Sequence, residues 1–350
     1  MQCNNPRAGR IHEYVMLLGM TPIRALLCVP CLAVCLAQPP KPAPPAPPEA
    51  AGEDQVIKVD VNLVNLFFSV RDRKNAYVAN LGKDDFQIFE DGKRQQIKFF
   101  SRETDLPLTI GLLVDVSRSQ EALIEEERRA SFRFFQDVLR QKDMAFIISF
   151  GADSELLQDF TNSLPLLQKG LGALRLNAGV SGMSPTGSPV PIPGGGRGTV
   201  LYEAVWLAAK EKLREETGRK ALVIITDGVD VGSRIKIDKA IEEAQRSDAI
   251  LYAILFEDPR YTSWQFGGMS GEGPMKRMAE ETGGRVFRVD RRTTLDDIYN
   301  VIQQEMRSQY SASYTSTNQA RDGSFRRIEI RANNRDLKLQ VRKGYYAAKD

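Results

Sequence analysis

Pro107-Leu108-Thr109-Ile110-Gly111-Leu112-Leu113-Val114-Asp115-Val116-Ser117-Arg118-Ser119 runs from an unbroken apolar segment straight into a group of oxygen donors. A continuous apolar run of this length reads as a strand covered on both faces. Three others follow: Met144 to Phe150, Ala221 to Thr226 and Ala249 to Phe256. Between them the apolar spacing becomes helical. Ala130, Phe134 and Val138 recur every four residues with Phe135 and Leu139 beside them; Leu201, Val205, Ala208 and Leu213 form a second such set, and Ile237, Ile241 and Ala244 a third. Strands alternating with helices predict an α/β fold, a doubly wound and mostly parallel sheet, over residues 106–304.

That topology has a consequence for the polar residues. In an open parallel sheet, ligands bind beyond the carboxyl ends of the strands. Asp115 follows one run and Asp227 another, so both should reach the same edge. Thr199 opens a helix, and helix amino ends in this fold point to that edge as well. Ser117 and Ser119 lie two and four residues beyond Asp115, where side chains of a loop can turn towards one point. Two carboxylates and three hydroxyls are all hard oxygen donors, the set that suits Mg²⁺ or Mn²⁺. Each piece also has an ordinary reading: Ser117, Ser119 and Thr199 as helix N-caps, Asp227-Gly228 as a turn, Asp115 as a sheet-edge residue bonded to backbone N–H groups. Residues 175–198 interrupt the alternation with a long Gly, Ser and Pro loop that leads directly into Thr199, and loops of such length are commonly functional or disordered.

The flanks have a different pattern. Val59, Val61, Leu63 and Asn65 alternate with their neighbours, and Phe86 to Glu90 and Lys93 to Phe100 flank Asp91-Gly92, a two-residue hairpin turn. Near the other end Ile328, Ile330 and Ala332 alternate, then Leu337, Leu339 and Val341, with Asn333-Asn334 at the turn between them. Residues 55–104 and 310–347 are expected to meet in one small antiparallel β domain; the alternative is two hairpins packed separately on the central domain. Phe99-Phe100 and Phe134-Phe135 read as core, the charged stretch Glu125 to Arg129 as a solvated helix face, and Trp264 and Phe266 as either a contact surface or a packed loop anchor.

With 350 residues, 42% of them hydrophobic, the chain can build one large core or two domains, and a net charge of +3 gives no case for nucleic acid. All four cysteines and the one histidine, His12, lie within the first 35 residues. Arg24, the apolar run Ala25 to Ala37 and the small residues around Cys35-Leu36-Ala37 make residues 1–37 read as a secretory signal, with translation starting at Met1 or Met20. An exported, periplasmic or secreted chain cut after Ala37 would contain neither Cys nor His. That excludes disulfides, thiolate or imidazole zinc sites and Ser-His-Asp triads from it. A lipid anchor at Cys35 is the alternative, although Val34 stands where a lipoprotein box has a small residue. Residues 38–54, dense in Pro and Ala, form a semi-rigid linker.

Asp115-x-Ser117-x-Ser119, then Thr199, then Asp227-Gly228, resembles the metal-ion-dependent adhesion site of von Willebrand factor type A domains. The flanking Val70-Arg71-Asp72, Asp84-Asp85-Phe86, Glu90-Asp91-Gly92-Lys93 and Gly344-Tyr345 are similar to a narrower group, the type A-related proteins abundant in Acidobacteria. The resemblance implies that Ser117, Ser119 and Thr199 are direct metal ligands and that Asp115 and Asp227 act mainly through water, with direct contact depending on state. A Glu or Asp of a partner protein would complete the shell. Arg118 departs from the glycine of many relatives; it would either steer an acidic partner or weaken the metal. The function expected is an exported, metal-dependent protein-binding module, not an enzyme. A Mg²⁺-dependent phosphate-ester hydrolase is one alternative. Against it, Ser117 replaces the second aspartate of such sites and no Gly-x-x-x-x-Gly-Lys-Ser/Thr loop occurs. A scaffold with a degenerate metal site is the other.

Overall fold

The computed structural model describes residues 63–102, 106–176, 198–256 and 271–349. The expected signal and linker, Val59, Val61, most of the 175–198 loop, Trp264 and Phe266 lie outside them. Four strands come first: β1 (Leu63–Arg71), β2 (Phe86–Glu90), β3 (Lys93–Gln95) and β4 (Ile97–Arg102). The α/β region follows with β5 (Leu108–Asp115), α1 (Ile124–Val138), β6 (Met144–Phe150), β7 (Ser154–Thr161), α2 (Leu164–Gly172) and α3 (Leu201–Leu207), the last extended by a π-helical turn. It continues through β8 (Arg219–Thr226), α4 (Ile237–Arg246), β9 (Ala249–Leu255), α5 (Glu272–Thr282), β10 (Val286–Arg288) and α6 (Leu295–Arg307). Four strands close the chain: β11 (Tyr310–Thr315), β12 (Phe325–Ala332), β13 (Lys338–Val341) and β14 (Gly344–Tyr346).

The central sheet has the order β10-β9-β8-β5-β6-β7 and is parallel except for the β7 edge. The apolar runs are its four middle strands, and β5, β8 and β9 are buried along their whole length. One face packs Ile110, Leu112 and Val114 against α1, α2 and α6. The other packs Leu113, Leu222 and Ile224 against α3, α4 and α5. The chain leaves β5 towards β6, then returns to place β8 on β5's other side. The topological switch point therefore lies between β5 and β8.

The terminal strands pair with each other in two four-stranded sheets, β13-β1-β11-β4 and β14-β12-β2-β3. Both line one core containing Leu66, Phe68, Phe86, Ile88, Tyr310 and Ile328. Its aromatic centre includes an edge-to-face pair, Phe68 on Phe86, with ring centroids 5.1 Å apart. Asp91-Gly92 closes β2 onto β3 with both residues at positive φ, 48° and 79°, as a tight primed turn requires.

Several expectations for the flanks need correction. In β1 the residues facing the β core are Val64, Leu66, Phe68 and Val70, while Leu63 and Asn65 face outward. Phe67, on the outward face, packs against the α/β core, so both faces of β1 carry apolar residues and alternation alone does not give the phase. Lys93 to Phe100 is not one strand: the chain breaks at Gln96 and passes from one sheet to the other. Likewise, β12 and β13 are not a hairpin, because β12 pairs with β2 and β14, whereas β13 pairs with β1. Phe100 packs against the β core, but Phe99 is 65% exposed. Finally, Glu127 in α1 is completely buried, not solvated.

Candidate metal centre

Asp115 is the last residue of β5 and Asp227 follows the last residue of β8, so the two carboxylates flank the switch point at the carboxyl edge. Asp115 is fully buried. One carboxylate oxygen accepts from the Ser117 N–H at 2.9 Å and the other from the Thr226 hydroxyl at 2.6 Å. Burial, and then the neighbouring Asp227 charge, push its pKa up to about 7 against the two hydrogen bonds that favour ionisation.

Beyond Asp115 the Val116 N–H bonds to the Phe150 carbonyl, which ties the loop to the end of β6. The chain then makes a short 3-10 turn, Arg118–Gln120. This turn places the Ser117 and Ser119 hydroxyl oxygens 3.0 Å apart, and the Ser119 hydroxyl donates to an Asp227 carboxylate oxygen at 2.7 Å. Four of the five expected residues are thereby joined in one hydrogen-bonded string. Arg118 points to solvent on the exposed side of the turn.

Thr199 is tied to the same edge of the sheet through its backbone. Val200 N–H bonds to the carbonyl of Gly151, just past β6, and the Thr199 carbonyl accepts from Val231 and Gly232, just past Asp227. Its hydroxyl makes no hydrogen bond among the described residues. The close docking depends on small residues: a Cβ on Gly232 would lie 2.5 Å from the Gly198 carbonyl oxygen. Gly228 is more constrained, with φ +81° and a would-be Cβ 2.7 Å from the Gly271 carbonyl oxygen. Gly228→Ala is expected to cost about 1–3 kcal/mol through backbone strain and to displace Asp227. Urea unfolding of the variant measures the first effect and its Mg²⁺ titration the second.

Three contributors escape a reading of the sequence. Thr226 lies inside an apolar run, yet its hydroxyl donates to Asp115 and accepts from the Gly228 N–H at 3.0 Å. Gln120, fully buried, anchors the 3-10 turn by donating to the Phe256 carbonyl at 3.1 Å, while its side-chain oxygen has no partner. Glu127 is buried near Asp115 with neither carboxylate oxygen hydrogen-bonded, and burial, then the Asp115 charge, pushes its pKa well up. Its spacing to Ala130, Ser131 and Phe134 had the helical phase of the buried face all along.

Among the described residues no group of three or more His, Cys, Asp or Glu side chains could hold a metal ion. The donors gathered here are mostly hydroxyls. Nor is any described helix long and apolar enough to cross a membrane.

No family model matches the sequence, and no curated protein matches it. Solved structures do. BatB from Bacteroides thetaiotaomicron matches at 20% identity and TM-score 0.43, over 57% of this chain and 97% of that one. The vWF domain of the type V pili tip protein Mfa5 from Porphyromonas gingivalis matches at 11% and 0.42, over 57% and 95%. A von Willebrand factor type A protein from Catenulispora acidiphila matches at 11% and 0.43, over 83% and 75%. At these identities and TM-scores the likenesses carry no conclusion about activity.

Proposed function

We propose that the protein is an exported, protein-binding module of the von Willebrand factor type A kind, in which Ser117, Ser119 and Thr199, with Asp115 and Asp227, hold Mg²⁺ or Mn²⁺. One observation carries this reading. In an octahedral shell with ligands ~2.1 Å from the ion, neighbouring ligand oxygens lie ~3 Å apart. The Ser117–Ser119 and Ser119–Asp227 oxygen pairs are separated by 3.0 and 2.7 Å. They already have the spacing of adjacent corners of such a shell.

Bound there, a divalent ion supplies an electrophilic centre for an incoming carboxylate. The chain's own residues set how strongly it does so. Asp115 has each oxygen engaged by a protein donor, so it shapes the site from beneath and suits contact through water. Hydroxyl ligands leave most of the ion's charge uncompensated and available to a Glu or Asp of the partner. The exposed Arg118 adds a cation at the mouth that favours acidic approach at low salt. No imidazole stands among the five residues, and Asp115, although raised to about 7, has both oxygens engaged by the Ser117 N–H and the Thr226 hydroxyl, which favours recognition over hydrolysis. Export rests on the sequence of residues 1–37 alone.

Isothermal titration with Mg²⁺ and Mn²⁺ tests the site. The wild-type chain should bind either ion, and Asp115→Ala or Thr199→Ala should weaken binding at least tenfold. Equal binding by wild type and Asp115→Ala, or no binding by either, ends the metal reading. Turnover of a phosphate ester that Asp115→Ala abolishes would replace it with a hydrolase.

A further inference from the structure

We propose that an arginine-lined cleft at the amino edge of the central sheet, opposite the candidate metal centre, binds a small organic polyanion bearing carboxylate or phosphate groups. The cleft has a volume of about 780 Å³ and lies between the terminal β strands and α6, lined among others by Arg71, Tyr77, Arg102, Arg285, Gln303 and Arg307. Cavities of ~300–1,000 Å³ are the size that takes small ligands.

Its position follows from the fold. Helices of a doubly wound sheet run back against the strands, so α6 ends at the amino edge. There Arg219, the first residue of β8, donates to the Met306 and Leu106 carbonyls. Arg71 ends β1 and Arg102 ends β4, so two strands of the β unit deliver guanidinium groups to the end of that helix.

The charge is poorly compensated. Among the described residues, four arginines and no acidic side chain line the cleft. Glu305, buried behind it, pairs with Arg285 at 3.3 Å and is also claimed by the hydroxyls of Tyr77 at 2.9 Å and Tyr252 at 3.3 Å. Arg307 donates only to the Val138 carbonyl, and burial together with nearby Arg140 lowers its pKa. Arg71 and Arg102 form no ion pair among the described residues, and the Nε of Arg71 is shielded from solvent without an acceptor. A shielded donor on an unpaired guanidinium is costly in a protein that gains nothing from it. An anion entering the cleft would supply the missing acceptor, and the planar fork of Arg pairs two-to-two with carboxylate and phosphate alike.

The experiment uses the chain from residue 38 onward in metal-free buffer at fixed ionic strength. Calorimetric titration with pyrophosphate forms one arm and citrate the other, chloride being the background anion. At least one probe should bind and raise the melting temperature. Arg71→Gln should weaken that binding tenfold or more, and so should Arg102→Gln, whose exposed side chain makes the variant safe for folding. Binding only of pyrophosphate assigns a phosphate ligand, and binding only of citrate a carboxylate one. The proposal is overturned if neither probe binds, or if both variants bind as wild type does. The metal-free buffer leaves the candidate metal centre out of the measurement, so the outcome is independent of the metal reading.

Discussion

In metal-free buffer the protein should lose stability as pH rises from about 4 to 7, and Asp115→Asn should remove much of that slope. Asp115 is fully buried beside Asp227, and its folded-state pKa of about 7 stands above the unfolded value of 3.8. A group whose pKa is raised on folding favours the native state while protonated. Its contribution is complete below the unfolded value and is lost as pH rises through the folded one. At ~1.4 kcal/mol per pKa unit the swing is about 4 kcal/mol at most. Glu127, its pKa also raised by burial, acts in the same direction, so a residual slope should survive in Asp115→Asn. Millimolar Mg²⁺ should flatten the wild-type curve, because a cation among the five donors favours ionised Asp115. Melting temperatures across the pH series, with and without Mg²⁺, measure both effects. A slope identical in wild type and Asp115→Asn would show that Asp115 titrates normally.

Glu90→Ala should destabilise the fold by about 3–5 kcal/mol, the usual result of removing one partner of a buried ion pair. Glu90 and Arg326 are 2% and 3% exposed in the β unit, with 3.6 Å between their charged atoms. Glu90 also accepts from the hydroxyls of Tyr314 at 2.7 Å, Tyr345 at 3.0 Å and Ser316. Truncation takes the one paired carboxylate from the buried Arg326, which keeps the Asn318 and Ala320 carbonyls, and removes an acceptor from three hydroxyls at once. Glu90→Gln keeps an acceptor in place and should cost distinctly less. Chemical unfolding of both variants gives the comparison; a loss under about 1 kcal/mol for Glu90→Ala would mean that water replaces the carboxylate.

The sequence made the central sheet readable because parallel strands covered on both faces keep apolar side chains on both. It brought the five candidate residues to one edge because the carboxyl edge collects strand ends and helix starts. What it hid are the cases where one residue serves two environments. Phe67 and Phe68 are adjacent and both packed, one on each core, so the strand has no single wet face. The break at Gln96 and the passage from β12 to β13 carry the chain between sheets, a decision made by partners far away in sequence. Glu127 sits in a run of like charges that looks solvated unless its helical phase is followed. Thr226, counted as one more residue of an apolar strand, supplies the hydroxyl that holds Asp115.

The β unit is assembled from both ends of the described chain, with β1 seated between β11 and β13. This arrangement has a mechanical meaning. If a tether before Leu63 is pulled while the carboxyl edge is held, tension enters along β1, whose hydrogen bonds to neighbours on both sides lie across the direction of pull. Those bonds must fail together in shear instead of opening one by one. Both connections into the α/β region also carry the load, since it is strung between β4 and β11. A load between the first strand and the carboxyl edge would thus be borne across the whole β unit.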